Sequence, residues 1–326
     1  SCWLGTGPRV FEFEQAFARY VGAPQAIATA SCTAALHLAI TACDVGPGDE
    51  VITTPMTFCA TANAILHTGA KPVFADCQPD TMNIDPAAIE AAITPRTKAI
   101  VPVHFAGRAC DMKAIRAIAA RHGLLVIEDA AHAIETTCSE GKVGSMSDAT
   151  CFSFYVTKNM TTGEGGMITT HRPELAAKCK VLGLHGMSAD AWSRFSDKGY
   201  RHYDVVQPGF KYNLTDMAAS LGLTQLPRLA DWLIRREQIW SQYDEAFASL
   251  PVTTPLSAEP GSVHARHLYT LIIRDDAPLR RDEFVAGMHE LGIGTGIHYR
   301  ALHTHAYYRD HYGYAPEQFP NAWYIG

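Results

Sequence analysis

The sequence predicts an α/β fold, with a large domain on a mostly parallel sheet followed by a smaller α+β domain. In the first two-thirds of the chain, short apolar runs alternate with helical patterns, which is typical of parallel βαβ units whose strands are buried on both faces. The expected strands are residues 26–29, 51–53, 72–75, 99–103 and 124–127. The expected helices are residues 13–21, 34–40, 86–93 and 112–121.

The rhythm changes after Asp129. The expected strands 149–154 and 166–170 follow each other with little helix between them, which indicates an antiparallel excursion. Residues 183–212 are expected to form a long polar loop, and a loop of that length in a compact domain is usually functional. Its aromatic residues include Trp192, Phe195, Tyr200, Tyr203 and Phe210.

The last third of the sequence predicts two helices and then a small domain that mixes strands and helices. The expected elements are helices 214–225 and 229–247, strand 267–273, helix 281–291 and strand 294–298. We therefore divide the chain into a large domain, residues 1–228, and a small domain, residues 229–326.

The composition is that of an ordinary globular protein. With 47% apolar residues and a net charge of −6, the chain lacks both the composition of a disordered protein and a general electrostatic footprint for nucleic acid or anionic membrane. No uninterrupted apolar run approaches the ~18–20 residues that span a bilayer. We expect neither nucleic acid nor membrane as a partner. The sequence starts without Met and stops without a closing element, so we expect an internal stretch of a longer protein.

Cysteine and histidine do not predict a metal site. The nine cysteines include no CxxC pair, so we expect free thiols in a reducing cytoplasm rather than zinc ligands or a disulfide framework. The fifteen histidines form no HExxH pair on a predicted helix.

Residues 29–35 lie where an expected strand turns into an expected helix, and all of them are small. Small residues let backbone N–H groups approach an anion, and a helix N-terminus favours negative charge. The alternative interpretation is an ordinary Ser or Thr helix cap.

A buried strand ends in Glu128-Asp129, at the edge where open α/β sheets bind ligands. An acid there can pair with a cation or a metal, although an Asp at a strand end is often only a turn former or helix cap.

Lys158 follows an aromatic strand and precedes a glycine turn. Burial disfavours the charged ammonium, and a neutral amine can form a Schiff base with a carbonyl. The alternative is a solvated surface lysine.

Further along the chain, Asn213 locally indicates a helix N-cap or a turn.

Together these features fit pyridoxal 5′-phosphate (PLP). This cofactor needs an amine for its aldehyde, a carboxylate for its ring nitrogen, a cradle for its phosphate and a flat apolar neighbour for its ring. Lys158, Asp129, the turn at residues 31–35 and Phe58 supply one of each.

The sequence resembles the DegT/DnrJ/StrS family of sugar aminotransferases from Trp3 to its end. The runs that carry the resemblance are 128–132 (EDAAH), 153–159 with 163–166 (GEGG), 209–216 (GFKYNLTD) and 296–299 (GIHY). The resemblance implies the aspartate aminotransferase-like PLP fold type I. It also implies transfer of an amino group from L-glutamate to a nucleotide-linked keto sugar, with C4 preferred over C3.

The resemblance also implies roles for individual residues. Lys158 matches the lysine that carries the cofactor and Asp129 the acid facing the ring nitrogen, which makes these two the catalytic residues. The other implied cofactor contacts are Thr33, Ala34, Phe58, His132, Ser153 and Asn213. Asn213 is implied to reach the phosphate of the neighbouring subunit, so a homodimer with shared active sites is expected. His185, His298 and Tyr299 fall in segments that line the sugar site.

Two departures from the family pattern concern the site itself. Cys32 stands where glycine or alanine is usual, and Tyr155-Val156 replaces a His-Pro or His-Ala pair. The lysine is present, which disfavours the sugar dehydratases of the family. An amino-acid lyase on the same fold and a PLP-binding regulator remain alternatives.

Overall fold

The computed structural model describes residues 4–188 and 203–326. Trp3, Trp192, Phe195 and Tyr200, which entered the sequence predictions, lie outside the described residues. The helices are α1 (Pro8–Val21), α2 (Cys32–Ala42), α3 (Cys59–His67), α4 (Pro86–Ala92), α5 (Met112–His122), α6 (Pro173–Gly183), α7 (Asp216–Gln225), α8 (Leu229–Phe247), α9 (Arg281–Glu290), α10 (Ala306–Tyr312) and α11 (Pro320–Ile325). The strands are β1 (Gln25–Thr29), β2 (Glu50–Thr53), β3 (Lys71–Phe74), β4 (Thr97–Val101), β5 (Leu125–Asp129), β6 (Thr137–Cys138), β7 (Gly141–Lys142), β8 (Ala149–Ser153), β9 (Gly166–Thr170), β10 (Val252–Thr253) and β11 (Ile272–Ile273).

The main sheet confirms the predicted α/β class. It has seven strands in the order β1-β9-β8-β5-β4-β2-β3. Every neighbouring pair is parallel except the two that involve β9, which runs antiparallel to both β1 and β8. The predicted antiparallel excursion is therefore confirmed. Strands β1, β8 and β5 run the same way, so their carboxyl ends meet at one edge of the sheet.

Helices cover both faces of the sheet, as strands that are apolar on both sides require. One face packs against α1, α4, α5 and α7, and the other packs against α2, α3 and α6. On the first face, Phe17 of α1 lies edge-on to Phe152 of β8, with ring centroids 5.0 Å apart. The side chain of Asp216 accepts hydrogen bonds from the backbone N–H groups of Gly7 and Val10 at 2.8 and 3.0 Å, which ties the start of α1 to that of α7.

The last third of the chain differs from the prediction. Only Ile272–Ile273 of the expected strand 267–273 is a strand, paired with β10, and residues 294–298 form no strand with any of the described residues. Four described helices were not predicted: α3, α6, α10 and α11. A third apolar core joins the C-terminal segment to the sheet domain through residues such as Met56, Phe105 and Leu302.

The described residues contain neither a membrane-spanning helix nor a cluster of metal ligands. Within residues 4–188 and 203–326, no helix is long and apolar enough to cross a membrane. Over the same ranges, no group of three or more His, Cys, Asp or Glu side chains is placed to hold a metal ion.

Candidate active site

A cavity of about 540 Å³ opens at the edge of the sheet where β1, β8 and β5 end. It brings together eight of the residues singled out from the sequence: Thr33, Phe58, Asp129, His132, Ser153, Lys158, His298 and Tyr299. Of the three residues that depart from the family pattern, Cys32 and Tyr155 also line it, and Val156 does not. The cavity is thus built from strand ends, the first turns of two helices and one C-terminal segment.

The turn before α2 forms one end of the cavity. Ser31 is the N-cap of α2, and its hydroxyl accepts the N–H of Ala34 at 3.1 Å, so the ordinary cap interpretation is correct for this side chain. The N–H of Thr33 has no hydrogen-bond partner within the part of the chain that the structure describes. The cap and an anion site are therefore compatible, because the helix start still offers a free donor and a positive dipole end.

Gly166 holds this turn close to the sheet. It lies opposite both Thr29 and Ser153 in the register of β9. A Cβ atom at Gly166 would lie 2.5 Å from the carbonyl carbon of Ser31 and 2.7 Å from the nitrogen of Cys32. Only glycine fits there, because the turn at Ser31 and Cys32 packs directly on the backbone of β9. This contact fixes the position of the turn at the ends of the strands.

Asp129 is the last residue of β5 and only 5% exposed. Its Oδ2 accepts the hydroxyl of Thr61 at 2.8 Å, and its Oδ1 accepts the N–H of Ala131 at 3.1 Å. Burial raises the pKa of Asp129, and the two hydrogen bonds and the neighbouring Lys158 oppose that rise. The structure therefore provides a buried carboxylate with two dedicated donors.

Lys158 follows β8 in a turn that its own N–H closes on the carbonyl of Tyr155 at 2.9 Å. The side chain is half-buried, and burial lowers its pKa although Cys32 and Asp129 act in the opposite direction. Within the described residues its amine has no ion-pair partner. An amine in this state can act as a nucleophile or a base.

His132 and Tyr299 form the opposite wall. Nε2 of His132 lies 3.2 Å from the hydroxyl of Tyr299, and Nδ1 lies 3.2 Å from the backbone nitrogen of Ala106. Burial lowers the pKa of His132, and the neighbouring His267, whose ring centroid is 4.4 Å away, lowers it further. His132 is therefore neutral near pH 7.

Phe58, the residue before α3, leaves 57% of its surface exposed beside Tyr299, with ring centroids 5.9 Å apart. An aromatic ring with an open face in a cavity is suited to a flat ligand.

Three predicted residues lie outside the cavity. Ala34 is buried behind Thr33, and His185 is exposed, with its N–H bonded to the carbonyl of Phe210 at 2.7 Å. Of the two local interpretations of Asn213, a helix N-cap or a turn, the N-cap is wrong, because Thr215 is the N-cap of α7. Asn213 instead donates to the hydroxyl of Thr6 at 2.6 Å.

Sequence reasoning missed Thr57 and Thr61. Both are buried, both line the cavity, and their hydroxyl oxygens are 2.8 Å apart. Thr61 is 68 positions from the carboxylate it contacts, so no local pattern could have pointed to it.

The residues of the cavity fit PLP. The donor set contains a half-buried amine, a buried carboxylate, a free helix N–H with the Ser153 hydroxyl nearby, and an open aromatic face. Fold and site together define the class of PLP-dependent enzymes of fold type I.

Comparison with known families gives the particular group. The sequence model of the DegT/DnrJ/EryC1/StrS aminotransferase family matches residues 1–325, and the chain belongs to this family. It is therefore a PLP-dependent transaminase, and the fold and cofactor expected from the resemblance are confirmed.

The relatives are sugar aminotransferases and polysaccharide biosynthesis proteins. The spore coat polysaccharide biosynthesis protein SpsC of Bacillus subtilis is 54% identical over 325 residues, which cover 99% of this chain and 83% of SpsC. The PMP form of Spr1654 from Streptococcus pneumoniae superposes with a TM-score of 0.93 at 33% identity, covering 100% of this chain and 86% of that one. Helicobacter pylori PseC, an aminotransferase involved in the biosynthesis of pseudoaminic acid, gives a TM-score of 0.89 at 31% identity, with 100% and 86% covered.

Proposed function

We propose that the protein moves an amino group from L-glutamate to the C4 ketone of a nucleotide-linked sugar. The observation that carries the proposal is that Lys158 and Asp129 line the same cavity. Burial lowers the pKa of the Lys158 amine, and hydrogen-bond donors stabilise the charged form of the Asp129 carboxylate. The relatives that act in polysaccharide and pseudoaminic acid biosynthesis support the sugar substrate.

Lys158 is the proton carrier. When bound, PLP supplies an electron-withdrawing ring that stabilises negative charge at the donor's α carbon. Nζ of Lys158 takes the α proton as a base and, as the conjugate acid, would deliver it to the carbon of the cofactor's former aldehyde group instead of back to the α carbon. The lowered pKa of Lys158 favours both transfers near neutral pH. The turn that Lys158 closes on Tyr155 orients the side chain into the cavity.

Asp129 provides the fixed negative charge of the site. Its carboxylate would face the ring nitrogen and keep that atom protonated. Because the carboxylate is buried and already hydrogen-bonded, little further free energy is needed to orient it when charge develops in the transition state. Thr33 and Ser153 would bind the phosphate, Ala34 would support that turn, and Phe58 would stack on the ring.

We also propose a homodimer in which Asn213 completes the partner's site. Asn213 lies outside the cavity of its own chain, near the apolar side chains Leu4, Phe11, Met217 and Leu221, which are exposed around α1 and α7. Such a surface is typical of subunit interfaces.

The eight described cysteines are all free thiols, which supports a cytoplasmic location.

The test is a coupled assay with L-glutamate and UDP-, dTDP- or GDP-linked 4-keto sugars. We expect 2-oxoglutarate and a 4-amino sugar in equal amounts, and borohydride should fix the cofactor on Lys158. Lys158→Ala should abolish turnover, whereas Lys113→Ala, on the exposed face of α5, should not change it. Turnover by Lys158→Ala would overturn the assignment. Elimination products without 2-oxoglutarate would instead favour a lyase or a dehydratase.

A further inference from the structure

A chain of hydroxyl groups leads to Asp129 from α3 and the residues before it. Thr57 Oγ1 lies 2.8 Å from Thr61 Oγ1, and Thr61 Oγ1 lies 2.8 Å from Asp129 Oδ2. Both threonines are at most 2% exposed, so water does not compete for these contacts. The three side chains form one buried hydrogen-bonded chain in the lining of the cavity.

The direction of each hydrogen bond follows from the number of protons. An ionised carboxylate only accepts, so the single hydroxyl proton of Thr61 goes to Asp129. The contact between the threonines must then run from the hydroxyl of Thr57 to the oxygen of Thr61. A hydroxyl that accepts a hydrogen bond becomes a stronger donor, so Thr57 strengthens the bond from Thr61 to Asp129.

Asp129 needs the hydrogen bond from Thr61 because its carboxylate is buried. A buried carboxylate has a raised proton affinity, and one that is too basic would take the proton from the ring nitrogen it is meant to keep charged. A donor to Oδ2 stabilises the carboxylate and leaves the proton on the nitrogen. The second donor, the N–H of Ala131, belongs to the backbone and cannot be tuned by side-chain replacement.

We propose that Thr61, supported by Thr57, is a positioning residue that sets the proton affinity of Asp129 and thereby the charge on the cofactor's ring nitrogen. The inference rests on the proposed placement of Asp129 opposite that nitrogen. Neither threonine touches the reacting atoms in this scheme, because both act through the carboxylate.

The test measures the ring nitrogen directly. Protein is reconstituted with ¹⁵N-labelled PLP, and the ¹⁵N resonance reports whether the nitrogen carries a proton. Thr61→Val keeps the shape but removes the hydroxyl, so the resonance should move towards that of a neutral pyridine and kcat should fall about tenfold or more, as loss of one hydrogen bond to a charged group implies. Thr61→Ser should restore both values. Thr57→Val should shift the resonance the same way by a smaller amount.

Thr53→Val is the matched control. Thr53 is also fully buried and donates its hydroxyl to a carbonyl, that of Val101 at 2.8 Å, but it does not line the cavity. It should leave the resonance unchanged. An unshifted resonance in Thr61→Val, or an equal shift in Thr53→Val, would overturn the proposal. If Thr61→Val does not fold, Thr57→Val decides alone, because it leaves the bond between Thr61 and Asp129 in place. The measurement needs no sugar, so failure of the coupled assay with every keto sugar is seen separately.

Discussion

The hydroxyl of Tyr299 and Nε2 of His132 lie 3.2 Å apart, although 167 positions separate the two residues. The backbone N–H of Ala106 donates to Nδ1 of His132, so the proton of the neutral ring is on Nε2 and points at Tyr299. Tyr299 therefore accepts from His132, and its own proton is free to point into the cavity. Burial raises the pKa of Tyr299, which keeps that proton in place.

Tyr299→Phe removes this donor and keeps the ring. We expect kcat/KM to fall about tenfold, the value of one hydrogen bond to a ligand, with little change in melting temperature. Steady-state kinetics with both substrates would measure the loss. Tyr307→Phe, on the exposed side of α10, is the control and should behave as wild type. An unchanged kcat/KM would show that the Tyr299 proton has no partner in the substrate complexes.

Asp129→Asn replaces the buried charge with a neutral group of the same size. The variant should still bind the cofactor but lose about 10²–10³-fold in kcat, because a preorganised charge is missing in the transition state. Its melting temperature should not fall, since no charge remains to be desolvated. Asp111→Asn is the control, because asparagine caps a helix as well as aspartate does and Asp111 is the N-cap of α5. Near-normal kcat in Asp129→Asn would remove Asp129 from its role.

Gly166→Ala should displace the turn before α2. The added Cβ would lie 2.5 Å from the backbone of Ser31, and neither strand nor turn can yield without losing its register. We expect the Kd for PLP to rise at least about tenfold, measured by absorbance titration of the apoprotein. In Gly163→Ala the new Cβ meets no atom within 4 Å, and the positive φ of 81° costs only about 1 kcal/mol. Equal affinities in the two variants would contradict the close-approach argument.

His264 makes stability depend on pH. Burial, helped by Arg266 and Arg108, lowers the pKa of His264 to about 3. An unfolded histidine titrates near 6.5, so between about pH 6.5 and 3 the unfolded state binds a proton that the folded state does not, and stability falls as the pH falls. His264→Asn keeps an acceptor for the N–H of Arg266 and should reduce that slope by about 1.4 kcal/mol per pH unit near pH 5. Urea unfolding at several pH values measures it, and an unchanged slope would show that His264 is already protonated.

Subunit complementation tests the shared site. Lys158→Ala and Asn213→Ala should each be inactive or weak, but a mixed dimer has one site with both residues intact. After equal amounts are unfolded together and refolded, about a quarter of the wild-type activity should return, since half of the dimers are mixed and each has one good site. No recovery would place Asn213 in the site of its own chain or outside any site.

The sheet domain followed from the sequence because its strands are apolar on both faces and are separated by clear turns. Helix α3 did not, because Cys59–His67 combines small residues with one threonine and one asparagine and has no sharp apolar stripe. Residues 294–298 were expected to be a strand, but within the described residues no neighbouring strand pairs with them, and a strand needs such a partner.

The candidate site was predictable where chemistry is concentrated in one residue type, as in Lys158 and Asp129. Partners that act across long sequence separations were not. Two examples are the hydrogen-bonded chain from Thr57 to Asp129 and the contact between Tyr299 and His132. Both depend on the packing of segments that share no local sequence pattern.

The position of β9 also sets the earliest point during synthesis at which the turn before α2 can take its place in the site. The strand enters the sheet between β1 and β8, although it is made after both. A nascent chain that has not yet released residue 170 from the ribosome therefore leaves β1 without a neighbour and the turn at Ser31 without its floor at Gly166. Vitamin B6 capture must wait until that late hairpin closes.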